Sequence, residues 1–196
     1  MTDDEPSAVY WSHQRDIQSD ETKIVLLMAN RVPIARELLL NPLGGVYPDD
    51  ATVKQVYLQA DGKINATLSD RHVLLGWVNH IEQDETSGVM TVTQIVQLSG
   101  GPGNYAFHTP TVKQQSASFH ERNTFYPLGN FTRAQRDRII EIARGLNFNM
   151  KTRVNSCRTW TYMLCVAMIA EGLLSQETFD YIDKDVPLRK PEPEIE

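Results

Sequence analysis

The sequence predicts an α+β protein, in which an antiparallel β-sheet from the first half of the chain is covered by helices from the second half. In the first half, pairs of β-branched, apolar segments are joined by short polar stretches, a pattern typical of hairpins. In the second half, apolar residues recur at helical spacing and the periodic segments end at glycines. Strands followed by helices favour this class over an alternating parallel fold.

Length and composition predict one domain. The chain has 196 residues, of which 41% are hydrophobic and 22% charged, as in ordinary globular proteins. Residues 1–22 are polar and acidic, and we expect them to form a flexible N-terminal arm. Residues 185–196 carry three prolines and are expected to form a flexible C-terminal tail. The single α+β domain is therefore predicted to span residues 23–184.

Five segments have the composition of strands. They are residues 23–30, 53–60, 63–68, 72–81 and 89–98. Asp61-Gly62 joins the second segment to the third and is a dipeptide that favours a two-residue hairpin turn. The fourth and fifth segments predict another hairpin, with its turn near residue 83. A flexible loop is expected at residues 99–104, and a further strand near residues 124–128.

Helices are predicted from their end signals. Pro33 can open a short helix to residue 40, which residues 41–45 then break. Thr132 and Gln135 have capping-box spacing ahead of a helix that extends to about residue 144. A third helix begins at Cys157 and ends before Gly172. Ser175 begins a short final helix that reaches about residue 183.

The composition excludes several function classes. A net charge of −6 argues against a nucleic-acid partner. The densest basic group, Arg133, Arg136, Arg138 and Arg144, alternates with acids and predicts a solvated helix face. No segment approaches the ~20 apolar residues of a membrane span. No metal-ligand spacing or cofactor motif is present, so no metal and no cofactor are expected. The oligomeric state is left open.

The two cysteines lie on the third predicted helix, which is apolar on almost every face and should therefore be central in the fold. Cys157 occupies its first turn, where unpaired N–H groups and the helix dipole favour a thiolate. Cys165 lies in mid-helix and is interpreted as a small buried hydrophobe; Cys157 could be the same. Both are expected to be reduced, which suits a cytoplasmic protein.

A thiolate nucleophile needs a partner, normally a histidine oriented by a third polar group. Of the five histidines, only His72 opens a strand that is apolar on both faces. The alternative is that His72 pairs with solvent or backbone. Gln94 is the only polar member of one face of the next strand, and a turn near residue 83 places it opposite His72.

This order of features resembles the circularly permuted papain-like proteins, of the permuted NlpC and lecithin retinol acyltransferase-like type, including uncharacterised fungal members. The resemblance covers residues 72–174: a histidine at the start of a central strand, a hairpin, and then a helix opened by Asn155-Ser156-Cys157 with Trp160 three residues on. Related sequences carry an Asn-Cys pair at this point, so Ser156 is an additional residue here.

The resemblance implies a thiol-dependent hydrolase, peptidase or acyltransferase that acts on an amide, peptide or thioester bond of a peptide, protein or acyl substrate. It implies Cys157 as nucleophile, His72 as base and Gln94 as the group that orients His72. The backbone N–H of Cys157 would contribute to an oxyanion hole. The alternative is a catalytically inactive protein-interaction module on the same fold, in which Cys157 only packs.

Overall fold

The structure is a computed structural model that describes residues 41–62, 71–84, 88–108 and 111–194. These residues belong to one compact unit that begins at Asn41. The predicted arm at residues 1–22, the strands at 23–30 and 63–68, and the helix opened by Pro33 lie outside the described residues.

Seven strands and five helices make up the described part of the chain. The strands are β1 (Lys54–Ala60), β2 (Val73–Asp84), β3 (Gly88–Val96), β4 (Leu98–Gly101), β5 (Asn104–Phe107), β6 (Thr111–Ser116) and β7 (Thr124–Phe131). The helices are α1 (Pro42–Val46), α2 (Ala117–Arg122), α3 (Arg133–Gly145), α4 (Cys157–Ala170) and α5 (Gln176–Asp185).

The strands form a five-stranded sheet in the order β6-β3-β2-β1-β7 and a separate β4-β5 hairpin. Every neighbouring pair is antiparallel. The α+β class with an antiparallel sheet is therefore confirmed. The predicted flexible loop at residues 99–104 is wrong, because most of it belongs to the β4-β5 hairpin.

The edges of β1 are occupied differently from the prediction. Between Tyr57 and Ala60, β1 pairs with β2 on one side and with β7 on the other. Both edges of this stretch are therefore taken by strands other than the expected partner at residues 63–68. Gly62 nevertheless has the left-handed φ of 77° that the turn prediction required.

The β2-β3 hairpin is confirmed, but its register is not. The turn falls between Asp84 and Gly88 rather than near residue 83, and a bulge follows Val78. Trp77 is therefore the partner of Gln94, and Leu75 is the partner of Val96. Gln94 does not lie opposite His72, which corrects the prediction that depended on the earlier turn.

The main core lies between the sheet and the three longest helices. From the sheet, Val56, Leu58, Val73, Leu75 and Trp77 contribute side chains that are fully buried. From the helices, the core receives Ile139, Trp160, Leu164, Met168 and Ile182. Helix α4 contacts β2, β4 and α3. Its burial is less complete than predicted, since Val166 is 43% exposed.

Helix α3 begins as predicted but buries one of its arginines. Thr132 accepts from the Gln135 N–H, and the Gln135 side chain accepts from the Thr132 N–H at 2.9 Å, which completes the capping box. Arg136 is 0% exposed and forms two hydrogen bonds of 2.8 and 2.9 Å to the carboxylate of Asp49. The predicted solvated arginine face is therefore wrong at Arg136.

The residues after α5 are held against the domain as far as the structure describes them. Val186 and Leu188 are buried. The side chain of Asn155 donates to the carbonyl of Glu192 and accepts from its N–H, each at 2.9 Å. The expected flexible tail is thus anchored beside the turn that precedes Cys157.

Candidate active site

Cys157 and His72 meet where α4 and β2 begin. Cys157 is the first residue of α4, and His72 directly precedes β2. Because α4 packs against β2, its N-terminus is carried to the start of that strand. The side chains of the two residues lie close enough for each to shift the pKa of the other. The sequence-based pairing of Cys157 with His72 therefore agrees with the geometry.

Two backbone groups also contact the sulfur of Cys157. The backbone groups of Val73 and Arg158 lie close enough to the sulfur to lower the pKa of Cys157. The Arg158 N–H belongs to the first turn of α4, where backbone donors have no intrahelical acceptor. Both contacts stabilise a negative sulfur more than a neutral thiol.

The second ring nitrogen of His72 is held by a glutamine that the sequence analysis missed. His72 Nε2 lies 2.9 Å from Gln97 Oε1. An amide oxygen is an acceptor, so Nε2 carries a hydrogen and Nδ1 is left to face the thiol. Gln97 therefore fixes both the tautomer and the orientation of the ring.

Gln94, the expected orienting residue, is engaged elsewhere. Its Oε1 accepts a hydrogen bond of 3.0 Å from the side-chain amide of Asn79. Gln94 and Gln97 are three residues apart and so point to opposite faces of an extended chain. The observed turn position places Gln94 opposite Trp77, away from His72.

The contacts of Cys157 alter its acidity. Burial alone would raise the pKa of the thiol, but the hydrogen bond and charge of His72 outweigh burial. Together with the backbone donors, they lower the pKa of Cys157 below its ordinary value. Cys165 has no such partner: burial, reinforced by the charge of Asp183, raises its pKa to about 12. The pKa values of the two cysteines on this helix are therefore shifted in opposite directions.

The pKa of His72 moves in the opposite direction from that of Cys157. The hydrogen bond to Cys157 raises the pKa of His72 to about 9, although burial opposes this change. The hydrogen bond to Gln97 and the charge of Asp61 also favour the imidazolium. Both shifts favour the thiolate–imidazolium form of the pair over its neutral form.

A groove of about 380 Å³ lies beside His72 on the sheet, and Cys157 is not among its lining residues. His72 and Gln97 line it, and Leu74, Ile95 and Phe119 supply apolar walls. We call it the His72 groove. It offers a volume in which a substrate can contact His72 and Gln97.

Three further findings concern metal ligands, membrane-spanning helices and similarity to known proteins. Within the described ranges, no three or more potential ligating side chains are grouped in a way that could hold a metal ion. None of the helices in that part of the chain is long and apolar enough to cross a membrane. The chain matches no family model, no curated protein and no solved structure. The site is therefore interpreted from its own residues.

Proposed function

We propose that this protein is a cysteine hydrolase or acyltransferase of the circularly permuted papain-like type, acting on an amide, peptide or thioester bond. The observation that carries the proposal is the proximity of Cys157 and His72, which shift each other's pKa in opposite directions, together with the contact of Gln97 on the far side of the His72 ring. A thiol, an imidazole and an orienting amide are the three parts that nucleophilic thiol catalysis requires.

In the first half-reaction, the Cys157 thiolate attacks the substrate carbonyl carbon and forms a C–S bond. The carbonyl electron pair moves to oxygen, and the backbone N–H of Cys157 at the first turn of α4 donates to this oxyanion. When the tetrahedral intermediate collapses, the imidazolium of His72 gives its Nδ1 proton to the leaving amine or thiol.

In the second half-reaction, neutral His72 takes a proton from water or from another acceptor. The oxygen, nitrogen or sulfur of that acceptor attacks the carbonyl carbon of the thioester. The acyl group is transferred to the acceptor, and the sulfur of Cys157 is released as a thiolate. Water as the acceptor gives hydrolysis, whereas an amine or alcohol gives acyl transfer. Gln97 acts as a positioning residue throughout, since it holds Nε2–H and keeps Nδ1 directed at the sulfur.

Iodoacetamide labelling across a pH series tests the proposal. Because the pKa of Cys157 is lowered, the thiolate persists at lower pH than in an ordinary cysteine, so the labelling rate should rise with an inflection below ~8.5. His72→Ala removes the largest favourable contact and should move that inflection upward. Cys165 is the internal control and should stay unlabelled until the protein unfolds, because it is buried with a raised pKa.

Two outcomes would contradict this mechanism. Equal, slow labelling of Cys157 and Cys165 would favour the alternative of a catalytically inactive interaction module. Fast labelling of Cys157 that is unchanged in His72→Ala would leave the helix terminus as the activator and exclude a dyad. Once a substrate is found, turnover should also fall above about pH 9, where His72 loses the proton that the leaving group needs.

A further inference from the structure

The chain that follows α5 passes the first turn of α4. A side-chain nitrogen of Arg158, the second residue of α4, donates to the carbonyl of Pro187. The side chain of Asn155, two residues before Cys157, bonds the backbone of Glu192. These two contacts lie on either side of Cys157 in the sequence. The chain between them therefore passes close to the helix end that carries the proposed nucleophile.

The beginning of this chain is fixed to the domain. The side chains of Val186 and Leu188 belong to the hydrophobic core and are 1% and 7% exposed. The backbone N–H of Leu188 also donates to a carboxylate oxygen of Asp183 at 2.6 Å. Releasing these residues would expose apolar surface to water, which is unfavourable. The chain is therefore held firmly as far as Leu188.

Residues 189–194 are attached differently, and we call them the strap. Every one of them is exposed, so the strap buries no apolar side chain. Its far end is held by hydrogen bonds to the side chain of Asn155. Segments with exposed hydrogen bonds and little buried apolar surface open most readily. The strap can therefore detach while the chain before it stays in place.

The contact with Asn155 follows from the sequence of the strap. Proline has no backbone N–H, so Glu192 is the only donor among Pro191, Glu192 and Pro193. Asn155 accepts from that N–H and donates to the carbonyl of the same residue, each at 2.9 Å. Its amide nitrogen also lies 3.1 Å from a carboxylate oxygen of Glu194. The two prolines restrict the detached strap, which lowers the entropy lost when it docks.

The turn that precedes Cys157 has its own support. Thr152 is 1% exposed, and its hydroxyl oxygen accepts from the N–H groups of Val154 at 3.2 Å and Asn155 at 2.9 Å. Neither bond involves the strap. Opening the strap should therefore leave this turn and the thiol of Cys157 where they are. What changes is the space through which a molecule approaches the start of α4.

We propose that the strap limits the access of bulky substrates to Cys157 and that its opening regulates the site. This inference rests on the proposed function, because it concerns the regulation of the Cys157–His72 pair. Cys157 is only half-buried, so small reagents reach it with the strap closed. Larger molecules react when the bonds between Asn155 and Glu192 are broken.

Two maleimides of different size test the proposal. N-methylmaleimide is small, whereas fluorescein-5-maleimide carries a rigid, bulky ring system on the same reactive group. With both reagents the thiolate sulfur adds to one carbon of the double bond, and the other carbon takes a proton from water. The mass of the Cys157 adduct over time gives each rate. The small reagent reports the acidity of the thiol, and the ratio of the two rates reports access.

Substitutions of Glu192 separate its backbone from its side chain. Glu192→Pro removes the N–H that Asn155 accepts, and one hydrogen bond contributes about fivefold. Fluorescein-5-maleimide should therefore label Cys157 about fivefold faster in this variant, whereas N-methylmaleimide should react at the wild-type rate. Glu192→Ala is the matched control, because it keeps both backbone bonds. It should show wild-type rates with both reagents.

The possible failures can be told apart. If N-methylmaleimide labels wild-type Cys157 rapidly but Glu192→Pro and Glu192→Ala react equally with fluorescein-5-maleimide, the strap does not limit access and the proposed function stands. The same conclusion follows if Glu192→Pro accelerates both reagents equally. If N-methylmaleimide labels wild-type Cys157 no faster than an ordinary thiol, the proposed function fails and the inference fails with it.

Discussion

Replacing Gln97 with leucine tests whether this residue tunes the dyad. Leucine has nearly the same volume but cannot accept the hydrogen bond from His72 Nε2, which is 2.9 Å long. A hydrogen bond to a charged group contributes about 1.5–3 kcal/mol. Because both residues are only partly buried, solvent screening reduces this to about 1 kcal/mol. Since one pKa unit corresponds to about 1.36 kcal/mol, the pKa of His72 should fall by about 0.7.

The same substitution changes Cys157 in the opposite direction. A weaker imidazolium favours the thiolate less, so the pKa of Cys157 should rise by up to the same amount. At pH values below the inflection of the labelling profile, the rate at which iodoacetamide labels Cys157 should then fall by as much as fivefold. This factor corresponds to a loss of about 1 kcal/mol, since RT is ~0.59 kcal/mol. An NMR titration of the His72 ring gives its pKa directly, and labelling across pH gives that of Cys157.

Gln94→Leu is the matched control for Gln97→Leu. It makes the same substitution on the same stretch of chain, but Gln94 bonds Asn79 rather than His72. It should leave both pKa values unchanged. If Gln94→Leu and Gln97→Leu move the labelling inflection equally, or if Gln97→Leu leaves the His72 titration where it was, Gln97 is not a positioning residue.

Three further predictions concern stability, and urea denaturation measures all of them. Gly172 has a φ of 71° with open space around its Cα, so Gly172→Ala should cost about 1 kcal/mol through backbone strain alone. Gly145, the last residue of α3, has equally open space without a positive φ, and Gly145→Ala should instead stabilise the protein by about 0.5 kcal/mol; a loss of stability there would contradict this reasoning. Arg136→Met should lower the free energy of unfolding by about 3 kcal/mol, because it leaves the buried Asp49 carboxylate with weaker partners. A loss below about 1 kcal/mol would mean that Lys54, 2.9 Å from Asp49, is enough to compensate the charge of that carboxylate.

Local patterns predicted the elements whose causes are local. The α3 capping box depends on Thr132 and Gln135, which are three residues apart, and both of its hydrogen bonds form. Ser175 likewise accepts from the N–H of Thr178 at the start of α5. The β2-β3 hairpin was identified because its two strands are adjacent in the sequence. Each of these features is determined within a few residues of chain.

Contacts between residues that are distant in the sequence could not be predicted from local sequence patterns. The pairing of β1 with β7 joins segments more than sixty residues apart, and no composition signal specifies it. The burial of Arg136 depends on Asp49, far earlier in the chain, whereas its own helix shows only alternating charges. Polar alternation cannot separate a solvated arginine from one that meets a distant carboxylate.

The candidate site was predicted in part for the same reason. Cys157 and His72 were recognised from their places at the starts of a helix and a strand, which are local signals. The orienting glutamine depended on the register of this hairpin, which places Gln94 opposite Trp77. The contact of His72 is instead Gln97, one residue beyond the end of β3. A few residues of error in one turn were enough to select the wrong amide.

Because the two cysteines on α4 have opposite surroundings, their alkylation rates report on two different steps of folding. Fast alkylation of Cys157 requires the start of β2 to have docked on α4, because His72 and Val73 are distant in sequence. Protection of Cys165 requires the core around it to have closed. Brief pulses of iodoacetamide at different times of refolding would therefore time two events separately. Labelling of Cys157 reports when the start of β2 docks on α4, and protection of Cys165 reports when the core closes around it.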